Sequence, residues 1–240
     1  MRIALFGDIH ANLEALEAVL ADAEEQSCDS YVCLGDVVGY NAEPARCLER
    51  VREMGCPVVK GNHDEDASGT HSLEQMNPIA ASALMWTRGA LDEEQRTWLR
   101  RRPLVRQIED FTVVHSTLDQ PSSWNYVTNK FDAMSNFSYQ FTQVCFHGHT
   151  HVPRVFIKDQ RVHEEPAESV VIEDGAKYFI NAGSVGQPRD GDWRASYVIY
   201  DTAENKVVFR RIEYDLATTQ RKILAAALPP TLAERLAHGR

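Results

Sequence analysis

The chain is short of cysteine, of basic residues and of long apolar runs, and each shortage excludes a class of protein. Its five cysteines contain no Cys-x-x-Cys pair, which excludes a disulfide framework or a cysteine-type zinc site and predicts reduced thiols in a cytoplasmic protein. Lysine and arginine number 25 against 35 acidic residues, a net charge of −10. We therefore expect no binding of long nucleic acids or anionic membranes through bulk charge. No apolar run approaches the roughly 20 residues of a membrane span, and the N-terminal apolar run at 3–6 is too short for a signal peptide.

Internal repeats, low-complexity tracts and linkers rich in proline, glycine or serine are also absent. The length of 240 residues and the hydrophobic fraction of 43% are those of an ordinary globular protein with a substantial core. We expect residues 1–240 to form one domain.

Short apolar runs that end abruptly in polar or glycine-containing clusters recur along the chain. The runs are IALF, YVCL, PVVK, FTVV, QVCF and KYFI. Such continuous runs are typical of strands buried on both faces. Helical patterns that follow Asn12 and Pro44 separate the first three runs, so the first part should be a mainly parallel sheet with helical crossovers.

The rest of the chain predicts more helices and a second group of strands. Helical patterns cover 65–102, 129–141 and the end of the chain from Thr218, whereas RVFIK, KYFI, SYVIY and KVVFRRIEY predict strands. We expect an α/β fold of two sheets with helices outside them.

Histidines concentrate at the ends of the apolar runs. Six of the nine histidines follow such a run, namely His10, His63, His115, His147, His149 and His151. Ligands of α/β sheets bind outside the carboxyl ends of the strands. The pattern therefore predicts a binding site at that edge.

The residue types at this edge predict a metal centre. The candidate donors carry carboxylate, imidazole or amide oxygen groups: Asp8, His10, Asp36, Asn62, His115, His149 and His151. This mixture suits Mn, Fe, Zn, Co or Ni, and it suffices for two ions that share a carboxylate. Two divalent ions against two carboxylates leave about +2 at the site, which attracts a phosphate ester and acidifies a coordinated water. Phosphoester hydrolysis is the reaction that this charge balance favours.

The motifs GDIH, the GD of GDVVG, GNHD, the isolated His115 and GHTH occur in the order found in calcineurin-like metallophosphoesterases, which the chain resembles from Gly7 to His151. GDIHANLEALEAVL and NAGSVGQPR are similar to the small microbial, diadenosine tetraphosphatase-like branch. The resemblance implies a four-layer α/β/β/α sandwich of two mixed sheets flanked by helices.

The resemblance also implies roles for the donors, position by position. One ion would take Asp8, His10, Asp36 and His151, and the other would take Asp36, Asn62, His115 and His149. His63 would not be a ligand. It would face the substrate as the catalytic residue that stabilises the transition state or protonates the leaving oxygen.

One position departs from the Ser/Thr protein phosphatase branch of this family. That branch has an aspartate three residues after the bridging aspartate, where it orients the catalytic histidine, whereas this chain has Gly39. Asp64 or a backbone carbonyl could orient His63 instead. The resemblance to that branch is correspondingly weaker.

Several other residues carry two interpretations. The candidate substrate-binding residues are Asn62, His63, Tyr40 and Arg189. An arginine fork matches phosphate geometry, but packing explains Tyr40 and solvation explains Arg189 equally well. Trp124 and Tyr126 could stack on a nucleobase or anchor their loop. His147 fits no ligand position and favours packing.

The sequence thus favours metal-dependent hydrolysis of a small phosphodiester or nucleotide by a metal-activated hydroxide. A Ser/Thr protein phosphatase and a non-catalytic metal-containing binding module are the alternatives. The natural substrate, the metals and the oligomeric state are left open. The terminal leucines at 224, 228, 232 and 236 suit a dimer contact less well than packing onto the chain's own sheet.

Overall fold

A computed structural model describes residues 1–69, 72–74 and 76–240 of the chain. In chain order the strands are β1 (Arg2–Phe6), β2 (Ser30–Cys33), β3 (Val105–Ile108), β4 (Phe111–Val114), β5 (Val144–His147), β6 (Arg154–Lys158), β7 (Val162–Glu165), β8 (Ser169–Val171), β9 (Lys177–Asn181), β10 (Ala195–Asp201) and β11 (Lys206–Ile212). The α-helices are α1 (Leu13–Glu25), α2 (Pro44–Glu53), α3 (Asn62–Ser68), α4 (Pro78–Ala90), α5 (Glu93–Arg100), α6 (Lys130–Tyr139), α7 (Leu216–Ala225) and α8 (Pro230–Leu236).

The strands form two mixed sheets. The first sheet has the order β2-β1-β10-β11-β8 and the second has the order β3-β4-β5-β9-β6-β7. β1 pairs with β2 in parallel and with β10 antiparallel, so strands from both ends of the chain share one sheet.

The first sheet contains fewer parallel strand pairs than the sequence predicts. The run PVVK at 57–60 forms only an isolated parallel bridge between Cys33 and Val58, because Gly61 turns the chain directly into α3. Three short strands were not predicted, β3, β7 and β8, whose side chains are largely exposed or half-buried and therefore lack a continuous apolar run.

Alternate side chains of β1 explain its unbroken apolar sequence. Ile3 and Leu5 face the core between the two sheets, whereas Ala4 and Phe6 face the core under α1. β5 does the same for the second sheet, whose outer face is covered by α6. The result is the predicted arrangement of two sheets between layers of helices.

Most predicted helix boundaries are confirmed. Asn12 accepts a hydrogen bond from the Ala15 amide and caps α1, Asn129 caps α6, and Gly55 follows the end of α2 with a φ of 61°. The predicted helical stretch 65–102 contains α4, α5 and most of α3, while Thr70, His71 and Gln75 within it lie outside the described residues.

Leu228, Leu232 and Leu236 are buried and Leu224 is 53% exposed. The buried leucines pack inside the chain, but against Tyr40 and α4 and not onto a sheet as the sequence predicts. Within the part of the chain that the structure describes, no helix combines the length and the apolar character that crossing a membrane requires.

Candidate active site

The predicted site residues converge where the carboxyl ends of strands from both sheets meet. Asp8 and Asp36 follow β1 and β2 of the first sheet, while His115 and His149 follow β4 and β5 of the second. Among the described residues the potential ligand atoms form three overlapping groups, each within 4.8 Å: Asp8, His10 and His151; His10, Asp36 and His63; and Asp36, His115 and His149. Residues separated by more than 140 positions in sequence are therefore neighbours at one edge of the fold.

Two carboxylates lie at the centre of this cluster, and each has one oxygen fixed by the backbone. Asp36 Oδ1 accepts from the His63 amide at 2.8 Å, and Asp8 Oδ2 accepts from the His149 amide at 2.9 Å. The other oxygens face the imidazoles: Asp36 Oδ2 lies 3.3 Å from His115 Nε2, and Asp8 Oδ1 lies 3.2 Å from His151 Nε2. One oxygen of each carboxylate is thus left for a ligand.

Glycines make room for these carboxylates. A Cβ atom at Gly61 would lie 2.0 Å from Asp36 Oδ1, and one at Gly148 would lie 2.3 Å from Asp8 Oδ2. Both glycines belong to the motifs GNHD and GHTH, so their presence has a steric reason.

The backbone is left-handed at most of the candidate ligands. The φ values are 49° at Asp8, 47° at His10, 51° at Asp36, 69° at His149 and 61° at His151. Such conformations cost non-glycine residues about 1–3 kcal/mol each and accumulate at functional sites. The loops therefore direct these side chains inward at the expense of backbone strain.

The outward-facing nitrogens of the imidazoles donate to carbonyls, which fixes the rings. His10 Nδ1 donates to Val38 O at 3.1 Å, His115 Nδ1 to Leu34 O at 2.8 Å, and His151 Nδ1 to Gln187 O at 2.6 Å. His149 uses Nε2 to donate to Trp124 O at 2.8 Å. A carbonyl only accepts, so the inward-facing nitrogen of each neutral ring carries a lone pair.

These inward lone pairs lack a positive partner. His10 Nε2 and His151 Nε2 lie 3.1 Å apart, and both rings are buried together with the two carboxylates. Asp8 Oδ1, Asn62 Oδ1 and His115 Nε2 are buried without a hydrogen-bond partner among the described residues. Buried lone pairs and carboxylates this close repel one another unless a cation lies between them.

The pKa values lead to the same conclusion. Burial, opposed only in part by Asp8, lowers the pKa of His151 to about 3. Burial also lowers the pKa of His149 to about 4, with a contribution from the neighbouring His115. In His115 burial is outweighed by Asp36 and Asp8, which raise its pKa to about 10. The neutral imidazoles of His149 and His151 therefore do not supply the positive charge that the carboxylates attract. The donor set fits divalent cations of the Mn-to-Zn series.

His63 lies at the edge of this cluster, and the residue is 4% exposed to solvent. Its ring centroid lies 4.4 Å from that of Tyr40 and 4.8 Å from that of His10. Among the described residues its Nδ1 has no hydrogen-bond partner, so the ring is held by packing. A Cβ at Gly39 would lie 2.5 Å from that nitrogen, so glycine at this position is what allows the ring to occupy its place.

Asp64 does not orient His63, contrary to one of the sequence-based alternatives. Its Oδ1 accepts from the amides of Val37 at 2.9 Å and Val38 at 3.3 Å, and its Oδ2 accepts from the Gly61 amide at 3.1 Å. The carboxylate is engaged by the backbone of the loop after β2. It thereby ties the loop that carries Asp36 to the start of α3, a role that its position in the GNHD motif did not reveal.

Two of the candidate substrate-binding residues, Tyr40 and Arg189, lie together beside the cluster. Arg189 donates from Nη2 to Tyr40 Oη at 3.3 Å, and its backbone amide donates to His151 O at 3.2 Å. Trp124 and Tyr126 contact other rings of the cluster: Trp124 lies 6.0 Å from His115, and Tyr126 stacks on His149 at 4.3 Å.

His147 is placed apart from the three groups of potential ligands. Its ring stacks on Phe179 at 4.1 Å, and Asn181 Nδ2 lies 3.3 Å from its Nδ1. Packing at the end of β5 accounts for it, as the sequence favoured.

Comparison with known proteins agrees with this architecture. The model of the calcineurin-like phosphoesterase superfamily domain matches residues 1–205. An uncharacterized protein of Methanocaldococcus jannaschii is 38% identical over 244 residues, which cover 99% of this chain and 98% of that protein. The crystal structure of a metallophosphoesterase from Sphaerobacter thermophilus has a TM-score of 0.89 and 42% identity, covering 100% of this chain and 99% of that one.

A more distant similarity covers only part of the chain. A symmetrical bis(5′-nucleosyl)-tetraphosphatase of Psychromonas ingrahamii is 32% identical over 122 residues, which are 48% of this chain and 42% of that protein. The match to the superfamily model, the full-length relative and the solved metallophosphoesterase together place this chain in the calcineurin-like phosphoesterase superfamily, as a metal-dependent phosphoester hydrolase.

Proposed function

We propose that the chain hydrolyses a small phosphodiester or nucleotide at a centre of two divalent metal ions. One ion would be held by Asp8, His10, Asp36 and His151, and the other by Asp36, Asn62, His115 and His149. His63 would act on the substrate without binding metal. When bound, two such ions offset charge on the phosphoryl oxygens and acidify a water molecule for attack on phosphorus.

One observation carries this proposal: two buried carboxylates and the facing nitrogens of the buried His10 and His151 rings lie together, and among the described residues no lysine or arginine lies within 4.0 Å of either carboxylate. The 3.1 Å separation of His10 Nε2 and His151 Nε2 is the sharpest instance. Asp36 belongs to two of the three groups of potential ligands, which supports it as the shared carboxylate. The donors are too many for one tetrahedral ion.

His63 is also close enough to Asp36 and His10 to count among potential ligand atoms. Its assignment to the substrate depends on the surroundings of its ring. The ring packs against Tyr40, and its Nδ1 lacks the carbonyl partner that the other inward-facing rings have. A ring held in this way presents a nitrogen to a ligand of the site, where it can donate a proton to the leaving oxygen or bind a phosphoryl oxygen.

The substrate is proposed to be small and to be a diester or a phosphoanhydride. The net charge of −10 does not favour a long polyanion, and the partial similarity to a bis(5′-nucleosyl)-tetraphosphatase favours a nucleotide. The lack of space at Gly39 for an aspartate beside His63 weakens the alternative of a Ser/Thr protein phosphatase.

Metal analysis combined with a turnover assay tests the proposal. Under metal-replete conditions elemental analysis should give close to two ions per chain, and bis-p-nitrophenyl phosphate should be hydrolysed with added Mn²⁺. Saturation at one ion would contradict the dinuclear centre. Absence of turnover with Mn²⁺, Fe²⁺, Zn²⁺, Co²⁺ and Ni²⁺ would favour a binding module. A higher kcat/KM on phosphoserine peptides than on diesters and nucleotides would favour a protein phosphatase.

A further inference from the structure

Two arginines from distant parts of the chain converge on the Tyr40 ring. The guanidinium carbons of Arg189, in the loop before β10, and Arg235, on α8, each lie 5.7 Å from the ring centroid. Together with Asn77 and the first turn of α4 they line a cavity of about 300 Å³. Two like charges therefore share one small recess.

Side-chain carboxylates do not neutralise the positive charge in this recess. Among the described residues neither arginine has an aspartate or glutamate carboxylate within 4.0 Å, unlike Arg210 with Asp22 and Arg211 with Asp190. Arg189 donates to Tyr40 Oη and Gln187 Oε1, and its buried Nε has no acceptor in the described part of the chain. Arg235 Nε donates to the backbone oxygen of Arg240 at 2.5 Å.

The proximity of the two guanidinium groups has an energetic cost. Burial, together with the neighbouring Arg189, lowers the pKa of Arg235. An anion in the recess would remove this repulsion and accept from both forks, which match the oxygens of a phosphate group.

The Tyr40 ring lies between the recess and the candidate active site and contacts both. The ring centroid of Tyr40 lies 4.4 Å from that of His63 and 4.7 Å from that of His10. The Arg189 backbone is also bonded to His151 O. A group bound by the arginines would therefore be a near neighbour of a group that contacts His63.

We propose that Arg189 and Arg235 form a second phosphate-binding site, which holds a phosphate of the same substrate other than the one that is cleaved. The preferred substrates would then be polyphosphate chains, such as nucleoside or dinucleoside polyphosphates, rather than diesters with a single phosphate. This inference rests on the proposed function for the position of the cleaved phosphate. Arg235 lies beyond residues 1–205, where the match to the superfamily model ends, so this site would be a feature of the C-terminal segment.

Calorimetry on the purified full-length protein with its metals tests the site without turnover. The probes are adenosine 5′-(β,γ-methylene)triphosphate and adenosine 5′-monophosphate. Arg235→Gln and Arg189→Gln should each weaken binding of the triphosphate analogue roughly tenfold, the loss of a charge-assisted hydrogen bond, and weaken binding of the monophosphate much less. Arg235→Lys, which keeps the charge and the aliphatic stem, should lose less than Arg235→Gln.

Arg221→Gln is the matched control. Arg221 lies on the preceding helix α7, is exposed, and donates only to Thr218 Oγ1 in the described structure, so its replacement should change neither affinity. Equal losses for the two probes, or no loss in Arg189→Gln and Arg235→Gln, would overturn the second phosphate site.

Kinetics separate this inference from the proposed function. With Mn²⁺, Arg235→Gln should lower kcat/KM for diadenosine tetraphosphate at least tenfold more than for bis-p-nitrophenyl phosphate, chiefly through KM. A parallel decrease for the two substrates contradicts the second site while the proposed function stands. If the unmodified protein hydrolyses neither substrate with any divalent ion, the proposed function is wrong, and the calorimetric comparison alone decides the anion site.

Discussion

Replacing Gly39 by alanine would test whether His63 must occupy its observed position for catalysis. Gly39 has a φ of 94°, and a Cβ atom there would lie 2.5 Å from His63 Nδ1, 3.1 Å from Cγ and 3.2 Å from Cβ. The ring cannot move far in response, because Tyr40 and His10 lie against it at 4.4 and 4.8 Å. The substitution should therefore both strain the backbone and displace the imidazole.

Two magnitudes follow from this geometry. The positive φ alone should destabilise the alanine variant by about 1–3 kcal/mol, a decrease in Tm of roughly 2–10 °C for a chain of this size. Displacing a catalytic group by about 1 Å costs on the order of 10²-fold in rate. We expect kcat on bis-p-nitrophenyl phosphate to fall by about that factor, while the metal content is retained because the three atoms nearest to the new methyl group all belong to His63, which is not a proposed ligand.

Gly89→Ala provides the matched control. Gly89 is exposed near the end of α4, and a Cβ there meets no described atom within 4 Å. Alanine should stabilise this helical position by up to about 1 kcal/mol and leave kcat unchanged. If Gly39→Ala lowers the Tm but keeps the unmodified kcat, the position of the His63 ring is not required for catalysis and the reasoning fails.

Three further substitutions test the remaining roles. Asp36→Asn removes the carboxylate proposed to be shared by both ions, so metal content and activity should be lost together; an active variant with two ions would contradict the shared role. His63→Gln should retain two ions and lower kcat by about 10²- to 10⁴-fold, with the smallest loss on p-nitrophenyl esters, whose leaving group needs protonation least. Loss of an ion would make His63 a ligand, and equal losses for good and poor leaving groups would assign it to the phosphoryl oxygens. Asp64→Asn turns an amide N–H₂ toward one of the backbone amides that the Asp64 carboxylate binds. The midpoint of a metal titration should therefore shift to higher metal concentration. An unchanged titration curve would show that these hydrogen bonds of Asp64 do not position Asp36.

The sequence by itself determined the edge of the fold at which the chemistry lies. Continuous apolar runs predicted strands buried on both faces, and the polar clusters after them predicted where the chain leaves each sheet. The potential ligands on Asp8, His10, Asp36, His115, His149 and His151 do converge. Within each sheet the carboxyl ends of neighbouring parallel strands meet at one edge, whereas the packing of the two sheets brings their edges together.

Only the tertiary structure decided how these side chains are held. That Gly39 makes room for the His63 ring, and that Asp64 binds backbone amides instead of this ring, depends on the path of two loops that no local pattern specifies. The same holds for Arg235, which reaches Tyr40 from the other end of the chain. A lone arginine on a short terminal helix carries no periodic or motif signal, and its proximity to Arg189 exists only because α8 packs against the beginning of α4. Contacts between residues far apart in sequence depend on tertiary packing, which the local hydrophobic pattern of the sequence does not specify.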